Sequence, residues 1–294
     1  MHSKQYALSG NTYGNYKANV RNIDHNYILI TRPNNRYRYK VRPCNLFTVM
    51  ISGVCFRNSQ MASQVKQAFD TSILGGPVYR LEIATESELQ DIRDLVPDDA
   101  ILVSVRLPEA WSPPAKDSGF REIETLVQLE RYLVEEDLQP TSPNIRYSDP
   151  SDREFCAAIA EAVFRSDRYH ADPMVSEKIA NRVKAAWARN EVNGRTDKTF
   201  IWEEDGEIAG FNGCLLQNRM VTIDLIAVSQ AHQGRGIGAA LIKAAFSHYA
   251  RLADCALIAT QDSNTGALAL YRKLGFVETA RFRTLHYVPK PIGF

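Results

Sequence analysis

The sequence predicts an α/β protein, with a mixed central sheet in its C-terminal half and a smaller α/β segment before it. Three observations predict this. From residue 151 the periodic segments run helix, helix, strand, strand, strand, helix, strand, helix, strand, an order that needs both hairpins and helical crossovers. A glycine-rich loop, Gln233-Gly234-Arg235-Gly236-Ile237-Gly238-Ala239, joins one of those strands to an amphipathic helix. A stretch without periodicity, residues 138–150, carries Pro140, Pro143 and Pro150 and separates the two halves.

Each element has its own warrant. Residues 1–45 are polar and read as an extension. Leu46–Phe56 is an apolar run of strand length, and Ser59–Ala68 has a helical pattern. Val78–Ala84 alternates as a strand, Glu86–Val96 is helical in pattern, Ala100–Leu107 is a strand, and Trp111–Gly119 is a loop rich in Pro, Gly and Ser. Ile123–Tyr132 gives a further strand, so residues 46–137 form the smaller α/β segment and 138–150 the linker. In the domain over 151–294, Glu154–Phe164 and Val175–Asn190 read as helices around a polar turn, Arg165–Pro173. Lys198–Glu203 and Gly210–Gln217 are strands joined by Asp205-Gly206, a hairpin turn signal. Met220–Val228 is the third strand. A helix from Gly236 to about Leu252, a strand Ala256–Thr260, a helix Thr265–Leu274 and a last strand Arg281–Val288 complete the order.

Composition bounds the function classes. The chain has 294 residues with 35 Lys+Arg against 34 Asp+Glu, a balance that gives no electrostatic case for nucleic acid or a membrane surface as partner. The first 45 residues are a local exception, with basic residues interleaved with Tyr13, Tyr16, Tyr27, Tyr37 and Tyr39. Such a mixture can bind nucleic acid, but acids are few there and the stretch reads as a loosely structured extension, so nucleic acid is not expected as a partner. Five cysteines, at 44, 55, 156, 214 and 255, form no C-x-x-C pair. That is the usage of a reduced compartment, without a disulfide framework or a metal site. Leu46–Phe56 is too short to span a bilayer and follows polar sequence, unlike a signal peptide. The expectation is a cytoplasmic protein.

The glycine loop reads as an anion cradle. Glycines let the backbone approach a ligand and turn N–H groups toward one point, and the helix start adds a positive dipole end. Ile237, Ala240, Leu241 and Ala244 mark the helix's inner face, and no acid stands in its first turns. The pattern Gly234-x-Gly236-x-x-Ala239 also matches a dinucleotide-binding fingerprint, with Asp254 as its acid. Against that, five residues separate Val228 from Gly234, too little chain follows for a doubly wound domain, and Asp254 precedes its strand.

Ile223-Asp224-Leu225-Ile226-Ala227-Val228, then Gln233-x-x-Gly236-x-Gly238, then Asn264 and Tyr271-Arg272-Lys273-Leu274-Gly275-Phe276, together resemble the GNAT superfamily of N-acetyltransferases over about residues 150–288. The resemblance implies an enzyme that moves an acetyl group from acetyl-CoA to an amine, without a metal. It places the acyl donor on Leu225, Ile226, Ala227 and Val228 and on the loop Gln233, Gly234, Arg235, Gly236, Ile237, Gly238 and Ala239. It assigns Asn264 a contact to the same cofactor and Tyr271 protonation of the departing thiolate. A phenol of pKa near ~10 can donate to a thiolate near ~8.5 from hydrogen-bond distance. Tyr271 also shares a helical face with Ala267, Leu270 and Leu274, the spacing of ordinary core packing.

A narrower likeness concerns the acceptor. Phe164 to Pro173, followed by Trp187 and Asn190, and the upstream stretch Phe69 to Leu81, resemble dTDP-fucosamine N-acetyltransferases. Those enzymes act on the 4-amino group of a nucleotide-linked deoxyhexose and carry a partial GNAT-like domain in front. The resemblance therefore implies a small-molecule amine acceptor of that kind, a partial GNAT-like domain over 46–137, and a homodimer. It stops before residue 69. Arg168, Tyr169, His170 and Asp172 have donors enough for a diphosphate or sugar hydroxyls; Asp172-Pro173 also suits a helix start, and Trp187 suits a core as well as a sugar platform. Direct transfer needs a base for the amine. Asp224, His170 and a chain of water molecules are all open as that base. Other acceptors, a protein N-terminus or an antibiotic among them, and a non-catalytic acyl-CoA-binding module remain the alternatives.

Overall fold

The computed structural model describes residues 62–294, and the backbone of 19–24, 27–32 and 35–40. The polar extension contains three short strands, β1 (Asn19–Asp24), β2 (Tyr27–Arg32) and β3 (Asn35–Lys40), paired antiparallel in that order. They fall in a compact unit over 1–48, separate from a second over 49–294. The strand expected at Leu46–Phe56 lies outside the described residues.

The second unit is built on one ten-stranded sheet. Its first strand, β4 (Ser63–Lys66), takes the place of the end of the helix expected over Ser59–Ala68. Its side chains alternate between half-buried and exposed, and it pairs antiparallel with β5 (Val78–Glu82). The helix α1 (Ala68–Leu74) starts only afterwards and is stopped by Gly75, whose φ of 85° is left-handed. Two short 3₁₀ turns at Glu86–Leu89 and Ile92–Leu95 replace the single helix read over 86–96. Then come β6 (Leu102–Pro108) and β7 (Arg121–Tyr132).

The stretch read as a linker supplies an edge strand, β8 (Ile145–Tyr147). Arg146 ties it down by bonding Asp152 at 2.7 Å and Glu203 at 2.5 Å. Beyond it lie α2 (Arg153–Val163), α3 (Arg168–Ala171, inside the predicted polar turn) and α4 (Glu177–Asn190). Next are β9 (Lys198–Glu204), β10 (Glu207–Gln217) and β11 (Met220–Val228). The chain closes with α5 (Ile237–Tyr249), β12 (Cys255–Gln261), α6 (Thr265–Lys273) and β13 (Val277–Tyr287). The β9–β10 turn takes positive φ at Asp205 and Gly206, as the dipeptide predicts.

The sheet order is β4-β5-β6-β13-β7-β12-β11-β10-β9-β8. Only β5–β6 and β11–β12 are parallel, so the sheet is mixed. β13 lies between β6 and β7, and β7 lies between β13 and β12. The two halves of the sequence therefore share one sheet. Its C-terminal part is covered on both faces. Ile242, Ala245 and Phe246 of α5 pack with Val221 and Ile223, while Cys156 and Ile159 of α2 pack with Leu225 and Ala227.

These four β11 residues are all odd-numbered, yet they serve opposite faces. The reason is a bulge: Gly213 pairs with Leu225 and Cys214 with Ile223, leaving Asp224 as the extra residue. One inserted residue reverses the alternation of everything after it. Among the described residues no helix is long and apolar enough to cross a membrane.

Candidate active site

The same strand opens the site. β11 pairs with β12 from Met220↔Cys255 to Ile223↔Ile258 and no further, although the strands continue to Val228 and Gln261. β12 stays paired with β7 as far as Gln261↔Leu126, so it is β11 that leaves. The parting strands bound a cavity of about 420 Å³. Its walls include Asp224 to Val228 on one side, Ile258 to Gln261 on the other, and Asn264, Tyr271 and Gln233 between. Arg106, Glu124, Arg165, Arg168, Tyr169, Lys184 and Trp187 line it as well.

Gln233 leads from the cavity into the glycine loop. Gly234 and Gly236 have φ of 76° and 81°, left-handed values that favour glycine, and no atom lies within 4 Å of where a Cβ would stand on either. Gly236 is the residue before α5, whose first hydrogen bond runs from the Ala240 amide to the Gly236 carbonyl at 3.0 Å. Earlier amides of the helix have no preceding turn to bond to. No acid stands in the first turn, and the Arg235 guanidinium is held by Glu204 at 2.7 Å. Open space, bare donors and a first turn without acids fit a pyrophosphate arm reaching Gly234 to Ala239.

Tyr271 answers to both readings of its position. It is 5% exposed within the main core cluster, edge-on to Phe276 with ring centroids 6.0 Å apart, and it also lines the cavity. Burial pushes its phenol well above the usual value. Among the described residues its hydroxyl has no hydrogen-bond partner. Asn264 is engaged close to its own helix. Its side-chain oxygen caps α6 through the Ala267 amide at 3.3 Å, and its amide donates to Thr260 at 3.1 Å.

The acceptor-side cluster divides. Arg168 and Tyr169 line the cavity, with the Arg168 guanidinium donating to the Tyr169 hydroxyl at 3.0 Å and pairing with Asp70 at 3.0 Å. His170 and Asp172 do not line it. The His170 ring is 4% exposed, with Nδ1 on Asp167 at 2.5 Å and Nε2 on Asn181 at 2.8 Å. Asp167 raises its pKa against the opposing effect of burial. With both nitrogens engaged, His170 cannot serve as the base or reach the acceptor. Asp172 is fully buried as well, accepting from Arg121 at 2.9 Å, from the Met174 amide at 2.9 Å and from His286 at 2.9 Å. Both belong to the scaffold that holds Asp167 and α3 in place.

Asp224 does face the site. Its side chain is 2% exposed and accepts from Trp187 Nε1 at 3.1 Å and from the Arg195 guanidinium at 2.8 Å. Trp187 thereby reads as a cavity wall that also orients a carboxylate, with Lys184 Nζ 4.4 Å from its ring.

Four participants escaped the sequence reading: Arg106, Glu124, Lys184 and Glu191. Arg106 of β6 is 14% exposed and, among the described residues, has only distant partners, Thr284 at 3.4 Å and Glu124 at 3.9 Å. Burial, more than the offsetting charge of Glu124, brings its pKa down to about 10. Lys184 is 7% exposed and stands 3.9 Å from Asp167. In sequence each is an ordinary charged residue, and only the chain crossing brings Arg106, Glu124 and Lys184 to one cavity, with Glu191 outside it behind Asp224.

Residues 162–276 match the model of a family described as Acetyltransferase (GNAT) family. The chain is similar to the spore coat polysaccharide biosynthesis protein SpsD of Bacillus subtilis (strain 168), 29% identical over 145 residues, 48% of this chain and 49% of that protein. It is also similar to mycothiol acetyltransferase of Corynebacterium glutamicum (strain R), 30% identical over 103 residues, 34% of this chain and 33% of that protein. The chain thus spans half or less of the length of these relatives. Among solved structures, a functionally unknown conserved protein from Staphylococcus epidermidis ATCC 12228 aligns with a TM-score of 0.57 at 12% identity, over 82% of this chain and 96% of that one. That likeness shows the fold.

Proposed function

We propose that this protein transfers acetyl from acetyl-CoA to an amine, and that the acceptor is a nucleotide-linked amino-deoxyhexose, with the dTDP-linked 4-amino sugar as first choice; the match of residues 162–276 to the GNAT acetyltransferase model supports the transfer. The observation that carries the reading is a single cavity lined both by the splayed strand, with Gln233 at the entry to the glycine loop, and by Arg106, Arg168 and Lys184. A thioester slot and a cationic end joined in one cavity suit an acceptor that carries both an amine and a diphosphate. The similarity to a spore coat polysaccharide biosynthesis protein supports a sugar acceptor.

Acetyl-CoA supplies the acyl group as a thioester: the nitrogen forms the amide bond, the C–S bond breaks, and sulfur takes a proton. The chain's residues do the rest. Leu225 to Val228 give a wall of backbone unpaired on its β12 side, suited to hold an acyl carbonyl. Tyr271, a phenol protonated at neutral pH whose proton burial holds more firmly still, is the donor to sulfur. Asp224 is the carboxylate placed to take the proton from nitrogen. Residues 46–137 read as a partial GNAT-like domain that lends β6 and β7, with Arg106 and Glu124, to the acceptor end. A homodimer remains part of the proposal, checked by sedimentation.

Thermal melts test the donor first. Acetyl-CoA at about 100 times its Kd stabilises by ~2.7 kcal/mol, a shift of several degrees. A nicotinamide dinucleotide is expected to give none; the reverse pattern would overturn the reading. Arg106→Met tests the acceptor. Loss of a charge-assisted bond worth about 1.5–3 kcal/mol lowers kcat/KM for a nucleotide-linked amine roughly 10- to 100-fold. Turnover of an uncharged amine stays level. An equal loss on both would remove the case for a diphosphate.

A further inference from the structure

Behind Asp224 stands a second carboxyl that the reaction as described does not use. Glu191 follows α4 in a turn, Glu191–Arg195, where Gly194 takes φ of 93°. Its side chain is fully buried. Arg195 bridges it to Asp224, with Nε 3.2 Å from Glu191 Oε1 and 3.2 Å from Asp224 Oδ2. The second guanidinium nitrogen reaches Asp224 Oδ2 at 2.8 Å. Glu191 Oε2 has no hydrogen-bond partner among the described residues. It lies against Gly213 of β10, where any Cβ would fall on it, and Gly213 is the residue beside the Asp224 bulge. The fold has thus cleared space on one strand, and bulged the next, for two carboxyls around one guanidinium.

Charge decides the state of this cluster. Two carboxylates and one arginine leave a net negative charge in the interior, and the bare Oε2 would be an acceptor without a donor, each a substantial penalty. One proton on Oε2 removes both: the cluster becomes neutral and the oxygen becomes a donor with Asp224 beside it. Burial first, and then the charge of Asp224, raise the Glu191 pKa well above the carboxylate range. The charged groups facing Glu191 are Arg195 from its own turn and Asp224 from β11. The Cys214 thiol of β10, neutral because burial raises its pKa, completes the surroundings.

We propose that Glu191 and Asp224 form a proton-sharing carboxyl pair in which Glu191 stays neutral and presents Asp224, as the carboxylate, to the acceptor nitrogen. Glu191 is a positioning residue, since it does not reach the cavity. This rests on the acetyltransfer reading for its use, though not for its existence. When the nitrogen–carbon bond has formed, the proton leaving nitrogen moves to Asp224. The pair then holds two protons and a single positive arginine, and releases one proton to solvent, while the proton on sulfur comes from Tyr271, which takes one back from solvent so that no net proton is gained or lost. No oxidant or further reactant is needed.

Melts of wild type, Glu191→Gln and Glu191→Ala from pH 5 to pH 9, with activity profiles over the same range, test the pair. A folded pKa raised above the unfolded value of roughly 4.3 gives stability that is present in full below that value and lost as pH rises toward the folded pKa. Gln cannot titrate, so the wild-type Tm should fall by several degrees relative to Glu191→Gln across the range. A constant difference overturns the shared proton. In activity, Glu191→Ala should lower kcat more than tenfold at unchanged KM, and Gln, which keeps a donor, should restore part of it with an altered pH profile. Equal losses for Ala and Gln overturn the positioning role. If wild type acetylates no amine, the acetyltransfer reading falls, and the melts still decide the pair.

Discussion

Tyr271→Phe is expected to lower kcat by about 10² to 10⁴, the range that one general acid contributes, while acetyl-CoA still shifts the melting temperature as in wild type. Steady-state rates beside a thermal melt check both halves. The stability arm is specific to this site. Tyr271 packs against Phe276 and belongs to the core cluster, so a change to Ala would confuse catalysis with a cavity costing about 3–5 kcal/mol. Phe keeps the ring. Because the hydroxyl has no protein partner among the described residues, its loss leaves no orphaned donor or acceptor behind. Unchanged turnover in Tyr271→Phe would make the residue a core tyrosine and return the thiolate to solvent for its proton.

Gly213→Ala carries the second large effect. Glycine is not needed there for backbone reasons, since Gly213 is a strand residue without a positive φ. It is needed because an added methyl would occupy the position of Glu191 Oε2 and stand 3.1 Å from the Thr196 methyl. A flexible, exposed carboxyl could step aside. This one is buried and held by Arg195, so we expect a loss of about 1–3 kcal/mol from overpacking, read as a lower Tm, together with a fall in kcat as Asp224 is displaced. Combining it with Glu191→Ala gives the methyl room. The double variant should be less destabilised than the two single losses added together; strict additivity would show that the methyl and the carboxyl do not meet.

These two positions also mark what can be read from sequence. The strand, loop and helix around Gln233 to Ala239, Asn264 and Tyr271 are local, and local periodicity with a glycine pattern was enough to place them together; the structure finds Gln233, Asn264 and Tyr271 on one cavity. Gly213 was not legible. Its reason is a contact with residue 191 across the sheet, and a glycine inside an alternating run looks like any weak strand position. The bulge at Asp224 was hidden for a related cause, because the extra residue is defined only against its partner strand. His170 and Asp172 misled in the opposite way. A polar cluster near a helix end has the chemistry of a binding site, and whether its groups face solvent or one another depends on Asn181, Arg121 and His286, which come from distant parts of the chain. The strand at Ser63–Lys66 was read as helix because four residues carry too little pattern to outweigh their neighbours.

The placement of β13 between β6 and β7 has a consequence for how the molecule comes into being. As the polypeptide leaves the ribosome, β6 and β7 emerge long before the strand that belongs between them. Until residues 277–287 are available, the inward edges of both are unpaired and open to any other extended chain. The sheet closes through pairings far apart in sequence, Arg106 with Thr284 and Glu124 with Thr284, the kind of long-range closure that slows folding. The nascent protein is therefore expected to be most prone to aggregation just before residues 277–287 emerge. A release series of ribosome-stalled lengths, probed by proteolysis, should show the shared sheet becoming protected only after β13 has cleared the exit tunnel.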